Sequence, residues 1–111
     1  MRPIPPGLKR QLNDDPFMAV CIYDNALCEG RVEWDHVFIW AGRQVNEWFA
    51  ILPVCYYHHR GGGMDRKYTE YVALSRVDDV QLFEIQKKYP RADWIGLKKR
   101  LVKKYGDTNN R

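Results

Sequence analysis

The stretch from Glu33 to His59, E-W-D-H-V-F-I-W-A-G-R-Q-V-N-E-W-F-A-I-L-P-V-C-Y-Y-H-H, constrains the fold of this chain more than any other. Two apolar runs, Val37 to Trp40 and Trp48 to Val54, flank a polar connection, Ala41 to Glu47, with a single glycine in it. Aromatic and β-branched side chains on both sides of such a connection predict two β-strands joined by a turn. Asp35-His36 stands at the start of the first strand. Cys55-Tyr56-Tyr57-His58-His59 follows the second and opens a helix or turn. All three histidines of the chain lie in this stretch. Closing the hairpin brings Asp35, His36 and His59 to one end, where a carboxylate and two imidazoles can hold a divalent metal and activate a water.

Length sets the scale around that hairpin. With 111 residues and 45% hydrophobic content, the chain can bury one core and not two, so a single α+β domain over residues 1–111 is expected. It divides into an N-terminal arm (1–16), the hairpin core (17–60) and a helical C-terminal part (64–105). The net charge of +4 is compatible with a nucleic-acid partner without establishing one. No apolar run reaches the roughly 20 residues that span a bilayer, and M-R-P-I-P-P-G lacks the apolar core of a secretory signal. The expectation is a soluble, cytoplasmic protein with no membrane partner, in a bacterial or phage-infected cell.

In chain order, Met1 to Gly7 reads as extended and Leu8 to Leu12 as a short helical turn ended by Asn13-Asp14-Asp15-Pro16. Asp24-Asn25 and Cys28-Glu29-Gly30 are turn signals. Arg60-Gly61-Gly62-Gly63 breaks any helix begun at Cys55 and, lacking a lysine-serine pair behind it, is a connection rather than a phosphate loop. Asp65 is an N-cap for a helix carrying Tyr68, Tyr71, Val72 and Val77. A second helix starts near Asp78 or Asp79, buries Val80, Phe83 and Ile85, and stops before Pro90. The last helix, near Ala92 to Tyr105, spaces Trp94, Ile95, Leu97, Leu101 and Val102 along one face. Lys98, Lys99, Arg100, Lys103 and Lys104 occupy the other. Gly106 ends it, and 107–111 reads as frayed.

Three cysteines cannot all pair within one chain, and a reducing cytosol turns them toward thiol or metal chemistry. Cys21 and Cys28 bracket a turn, and Cys55-Tyr-Tyr-His58 is a C-x-x-H half-site. Together they make a Cys3His set suited to tetrahedral zinc. The first pair is wider than the usual knuckle, and Cys21 as a small buried hydrophobe with Cys28 as a free thiol is the competing reading.

Two of these motifs, E-W-D-H (Glu33 to His36) and I-L-P-V-C-Y-Y-H-H (Ile51 to His59), occur in the order seen in the HNH endonuclease family, which the stretch from Cys21 to His59 resembles. The family's ββα-metal motif places an acid-histidine pair on a hairpin and a last histidine on the helix that follows. His58 stands where the second zinc cysteine of the family often sits. Ala50 fills the position aligned with the family's middle asparagine, and Asn46 is the nearest substitute. What the resemblance implies is phosphodiester hydrolysis in DNA, with RNA as a further possible substrate. Asp35 and His59 then ligate one divalent metal, magnesium first, with manganese or nickel also admitted by a histidine ligand. His36 is the general base, and Asn46 orients it or stiffens the turn. The size of the chain fits a phage-type member of the family.

Simpler roles compete with each of these. Asp35 can pair with Arg31 or Arg43, His36 can be a half-buried strand residue, and either His58 or His59 can serve the active site. Glu33, on the same strand face as Asp35, is a weaker metal candidate. Arg43, Arg60, Arg66, Lys67, Lys99 and Lys103 are candidates for phosphate contact, although charged helix faces are usually just solvated. A zinc-stabilised nucleic-acid-binding module without catalysis is the alternative function, and a tryptophan-based protein-interaction domain the third.

Overall fold

Pro6 opens the first helix, α1 (Pro6–Asn13), where a fixed helical φ helps and a missing N–H costs nothing. The helix thus takes in Pro6 and Gly7, which the sequence placed in an extended arm. The computed structural model describes residues 4–40, 43–61 and 64–106. Leu12, the buried residue of α1, packs with Met18 and Ile51. Asp15 starts a short 3-10 turn over Pro16–Ala19 by accepting from the Phe17 N–H at 3.0 Å.

The central ladder is β1 (Val32–His36) against β4 (Ile51–Cys55), antiparallel, with Val32 opposite Cys55 and His36 opposite Ile51. This corrects the expected strand positions. Asp35-His36 lies at the end of β1 and not at the start of a strand. Of the run Val37 to Trp40, only Ile39–Trp40 is a strand (β2), and it pairs with Arg43–Gln44 (β3) in a second small ladder. Trp48–Ala50 is a 3-10 turn. These segments are apolar because they are core: Val37, Phe38, Phe49 and Ala50 are buried. Burial and strand pairing leave the same mark on a short apolar run.

β4 is buried along its whole length. Pro53 gives β4 no N–H at its middle, yet its carbonyl accepts from the Ile22 N–H at 3.0 Å, so the 20–22 segment runs alongside the strand. Cys55 caps the helix that follows, α2 (Tyr56–Arg60), as its Sγ accepts from the His58 N–H at 3.5 Å.

The C-terminal part is three capped helices. Asp65 starts α3 (Arg66–Ser75) by accepting from the Lys67 and Tyr68 N–H groups. Asp78 and Gln81 form a reciprocal capping box at α4 (Asp79–Lys88). Asp93 caps α5 (Trp94–Leu101) through the Gly96 N–H at 3.0 Å. A Cβ on Gly96 would stand 2.2 Å from an Asp93 carboxylate oxygen, so any larger residue there would push the capping carboxylate aside. A π-helical turn, Val102–Gly106, continues α5.

Trp94 is fully buried, edge-on to Phe38 and Phe49, and donates its indole N–H to the Tyr89 carbonyl at 3.0 Å. It joins the helices to the segment between the strands. On α4 the expected core residues Val80 and Phe83 are exposed, at 75% and 62%, while Leu82 and Ile85 face inward. Val102 is also exposed. The protein is thus α+β, with a main core shared by helices and the two short ladders and a smaller cluster of Leu12, Met18 and Ile51 beside it. No helix among the described residues is long and apolar enough to cross a membrane. The expectations for 107–111 and for Gly62-Gly63 lie outside the described residues.

Candidate metal centre and active site

Three backbone hydrogen bonds assemble the cysteine cluster. Ile22 N–H donates to Pro53, Tyr56 N–H to the Arg31 carbonyl at 2.8 Å, and Tyr57 N–H to the Glu29 carbonyl at 3.1 Å. They pin both ends of the loop between Cys21 and Arg31 to β4 and to the start of α2. Gly30 closes the loop at φ +81°, where a Cβ would stand 2.7 Å from that of Tyr56. Asn25 tightens it by accepting from the Leu27 N–H at 2.9 Å.

The Sγ atoms of Cys21, Cys28 and Cys55 lie 3.8, 3.6 and 3.1 Å from His58 Nδ1. All four ligand atoms fall within 4.8 Å of one another, with Cys28 half-buried and the others buried. Tetrahedral zinc, with bonds of about 2.3 Å to sulfur and about 2.0 Å to nitrogen, needs S···N separations of about 3.5 Å. The donor set and its spacing therefore fit a zinc-like ion. Burial opposes the Cys55 thiolate, but the backbone N–H groups of His58 and Glu29, with the His58 ring, outweigh it and bring the thiol down to about 6. A thiol so lowered is ready to give up its proton to a metal.

A second group of polar side chains lies at the β1–α2 junction. Glu33 and Asp35 share a face of β1, and His59 of α2 stands between them. His59 Nδ1 is 2.8 Å from Glu33 Oε1, and its Nε2 is 3.4 Å from Asp35 Oδ1. Arg60 Nε donates to Glu33 Oε1 at 3.0 Å. The His59 hydrogen bond holds the Glu33 carboxyl below the ordinary range; burial opposes this, and Arg60 adds to it. Asp35, only 5% exposed, is paired with Arg66, not with Arg31 or Arg43, through a 2.7 Å bond from the guanidinium to Oδ2.

His36 is half-buried, and its Nε2 is 3.0 Å from Asn46 Oδ1. An amide oxygen accepts only, so with Oδ1 on this side the contact is made by a protonated Nε2, and in the neutral ring the lone pair is then on Nδ1. A cavity of about 270 Å³ adjoins the ring, walled by Val37, Ile39, Arg66 and Glu70.

The sequence thus named Asp35, His36, Asn46 and His59, and the structure brings Asp35 to His59 and His36 to Asn46. It also named Cys21, Cys28, Cys55 and His58, which converge. It missed Arg66 as the partner of Asp35, and it weighed Glu33 as a metal ligand where the carboxylate bonds His59. Their alternate-residue spacing on β1 was the available signal for Glu33. The cations named for phosphate contact are spread over several elements. Arg43 is exposed, Arg60 is bound to Glu33, and Lys67 Nζ lies 3.5 Å from Glu70. Lys99 and Lys103 line a groove between α4 and α5 with Leu82, Ile95 and Val102. Lys98 is not free on that face: its Nζ donates to the Val77 carbonyl.

Comparison of the chain with family models, with curated proteins and with solved structures found no match in any of the three.

Proposed function

We propose that this chain is a small metal-dependent endonuclease of the HNH type, hydrolysing phosphodiester bonds in DNA, with a structural zinc at Cys21, Cys28, Cys55 and His58. The observation that carries the reading is the 3.4 Å approach of His59 Nε2 to Asp35 Oδ1. An octahedral ion such as magnesium, with bonds of about 2.1 Å at right angles, would hold two neighbouring donor atoms about 3.0 Å apart, so the pair would close by a few tenths of an ångström around it. The order β1, β4, α2 supports a ββα-metal unit into which β2 and β3 are inserted.

A divalent ion such as magnesium, or manganese or nickel in its place, would be held by Asp35 and His59 and would offset charge on the phosphate and the leaving oxygen. The residues of the chain supply the remainder. His36, kept in one tautomer by Asn46, presents Nδ1 as general base. Nδ1 takes the water proton as the water oxygen bonds to phosphorus and the P–O ester bond breaks; the departing oxygen leaves as an alcohol after taking a proton from solvent. Arg66 borders the cavity beside His36 but brings no free charge to it, since its guanidinium is shared with Asp35 and the Glu70 carboxylate lines the same wall.

Incubating supercoiled plasmid with the protein tests the proposal. Nicking with magnesium or manganese that stops in EDTA supports it, and intact plasmid under every metal condition overturns it. One observation favours the second reading, a zinc-stabilised binding module. Arg66 already satisfies the buried Asp35 carboxylate without a metal. Plasmid binding without any nicking is the signature of that reading.

A further inference from the structure

We infer that Glu33 is a positioning residue for His59: by accepting the Nδ1 proton it fixes the imidazole in the tautomer whose Nε2 lone pair faces Asp35, and so completes a two-residue ligand pair for a divalent cation. For the role of that cation the inference rests on the nuclease reading; for the tautomer it rests on hydrogen bonding alone.

A carboxylate can only accept, so the 2.8 Å contact between Glu33 Oε1 and His59 Nδ1 requires a proton on Nδ1. In the neutral ring Nε2 is then bare. It faces Asp35 Oδ1 at 3.4 Å, and the repulsion of two lone pairs opposed at that distance is relieved either by a second ring proton or by a cation between them. Asp35 Oδ2 is taken by Arg66, which leaves Oδ1 as its ligand atom. Glu33 is itself held in place, by Arg60 Nε at 3.0 Å and by Arg31 Nε at 3.5 Å, and its side chain is 10% exposed. His59 and Arg60 are neighbours on α2, so one carboxylate docks that helix on β1 and orients its histidine. A carboxylate behind a ligating histidine raises the ligand's basicity and fixes its ring, and losing it typically weakens metal binding by about tenfold to a hundredfold.

Two measurements on the zinc-loaded full chain test this. In ¹⁵N-labelled protein at pH 8, without added divalent metal, the His59 ring should show its proton on Nδ1 and a bare Nε2. This readout needs no variant and no activity. Mn2+ affinity, followed by the electron paramagnetic resonance of the free ion, should fall about tenfold or more in Glu33→Gln, with zinc content unchanged. Glutamine matches the shape of glutamate but can accept from or donate to Nδ1, so the variant should also show mixed His59 tautomers. Should Glu33→Gln fold poorly, Glu33→Asp keeps the charge and should give intermediate affinity. Wild-type His59 with its proton on Nε2, absence of Mn2+ binding to the wild type, or Glu33→Gln matching the wild type in both tautomer and affinity overturns the inference. Mn2+ binding with the expected tautomer but without plasmid cleavage removes the nuclease reading and leaves the role of Glu33 standing.

Discussion

The ring of Tyr23 lies stacked on that of His58, centroids 4.5 Å apart and planes 17° apart. The same tyrosine accepts the Asp65 N–H on its hydroxyl at 2.9 Å, one residue before the arginine that holds Asp35. A side chain packed on the Cys3His cluster therefore also fixes the start of α3, and with it Arg66. The metal centre and the histidine end of the hairpin are mechanically joined.

Purified protein should accordingly hold about one zinc per chain. Cys55→Ser and His58→Ala should lose it together with much of the stability, because metal binding to such a site is coupled to folding. Elemental analysis alongside urea unfolding checks both. Folded wild type containing no zinc would contradict the assignment.

Arg66→Ala leaves a buried carboxylate without its partner. Breaking a buried pair costs about 3–5 kcal/mol, but the arginine is half exposed here, so a loss of about 1–3 kcal/mol is expected. The same change frees Asp35 Oδ2, so added Mn2+ should restore more stability to Arg66→Ala than to the wild type. Thermal unfolding with and without Mn2+ measures the difference. Equal gains in the two proteins would show that Arg66 and the cation do not share Asp35.

Acid stability should carry the mark of Asp65. Burial raises its carboxyl, but the Tyr105 hydroxyl and the Tyr68 and Lys67 N–H groups outweigh this and hold it below the ordinary 3.8. A carboxyl lowered in the folded state adds stability that is complete above its unfolded value and is lost as pH falls through the folded one. Urea midpoints should therefore drop as pH is lowered from about 4.5 toward 2. Asp65→Asn should be less stable near neutrality and show a shallower acid decline, and Tyr105→Phe, by letting the folded carboxyl rise toward its unfolded value, should shrink the decline as well. An unchanged acid profile in both variants would exclude Asp65 as its source.

Lys99 and Lys103 put the charge of the last helix to the test. If they meet phosphates, replacing both by glutamine should weaken binding alike for every DNA sequence. The slope of log affinity against log salt should then shrink by about 0.9 for each phosphate no longer neutralised. Lysines near a helix C-terminus also favour the helix dipole, so their position alone decides nothing. An unchanged slope would return the binding surface to Arg43, Arg60 and Lys67.

Two helix starts were legible because their caps are local: Asp65 and Asp78 each sit where a side-chain oxygen meets the first free N–H groups, whereas the cap at Asp93 went unread and the last helix was begun at Ala92. Cys55 and His58 were legible for the same reason, being one helical turn apart. Closure of the wide Cys21–Cys28 segment was not, because backbone bonds to Pro53, Arg31 and Glu29 decide it, and these cross the chain. The β1 boundary was misplaced because Val37 and Phe38 are apolar for the sake of the core under Trp94. Val80 and Phe83 lie three residues apart, as helix-face neighbours do, and so do Leu82 and Ile85. Only packing against α5 chooses which pair is buried. The Arg66–Asp35 pair spans 31 residues and leaves no periodic trace.

The central claim is that His36 activates water for phosphodiester cleavage beside a cation held by Asp35 and His59. Its most direct test is single-turnover plasmid nicking by His36→Ala beside the wild type, at saturating manganese and with zinc content and fold verified. The expected result is metal-dependent nicking by the wild type and a rate at least about a hundredfold lower in the variant, with Mn2+ affinity unchanged. A His36→Ala protein that nicks at the wild-type rate would contradict the claim.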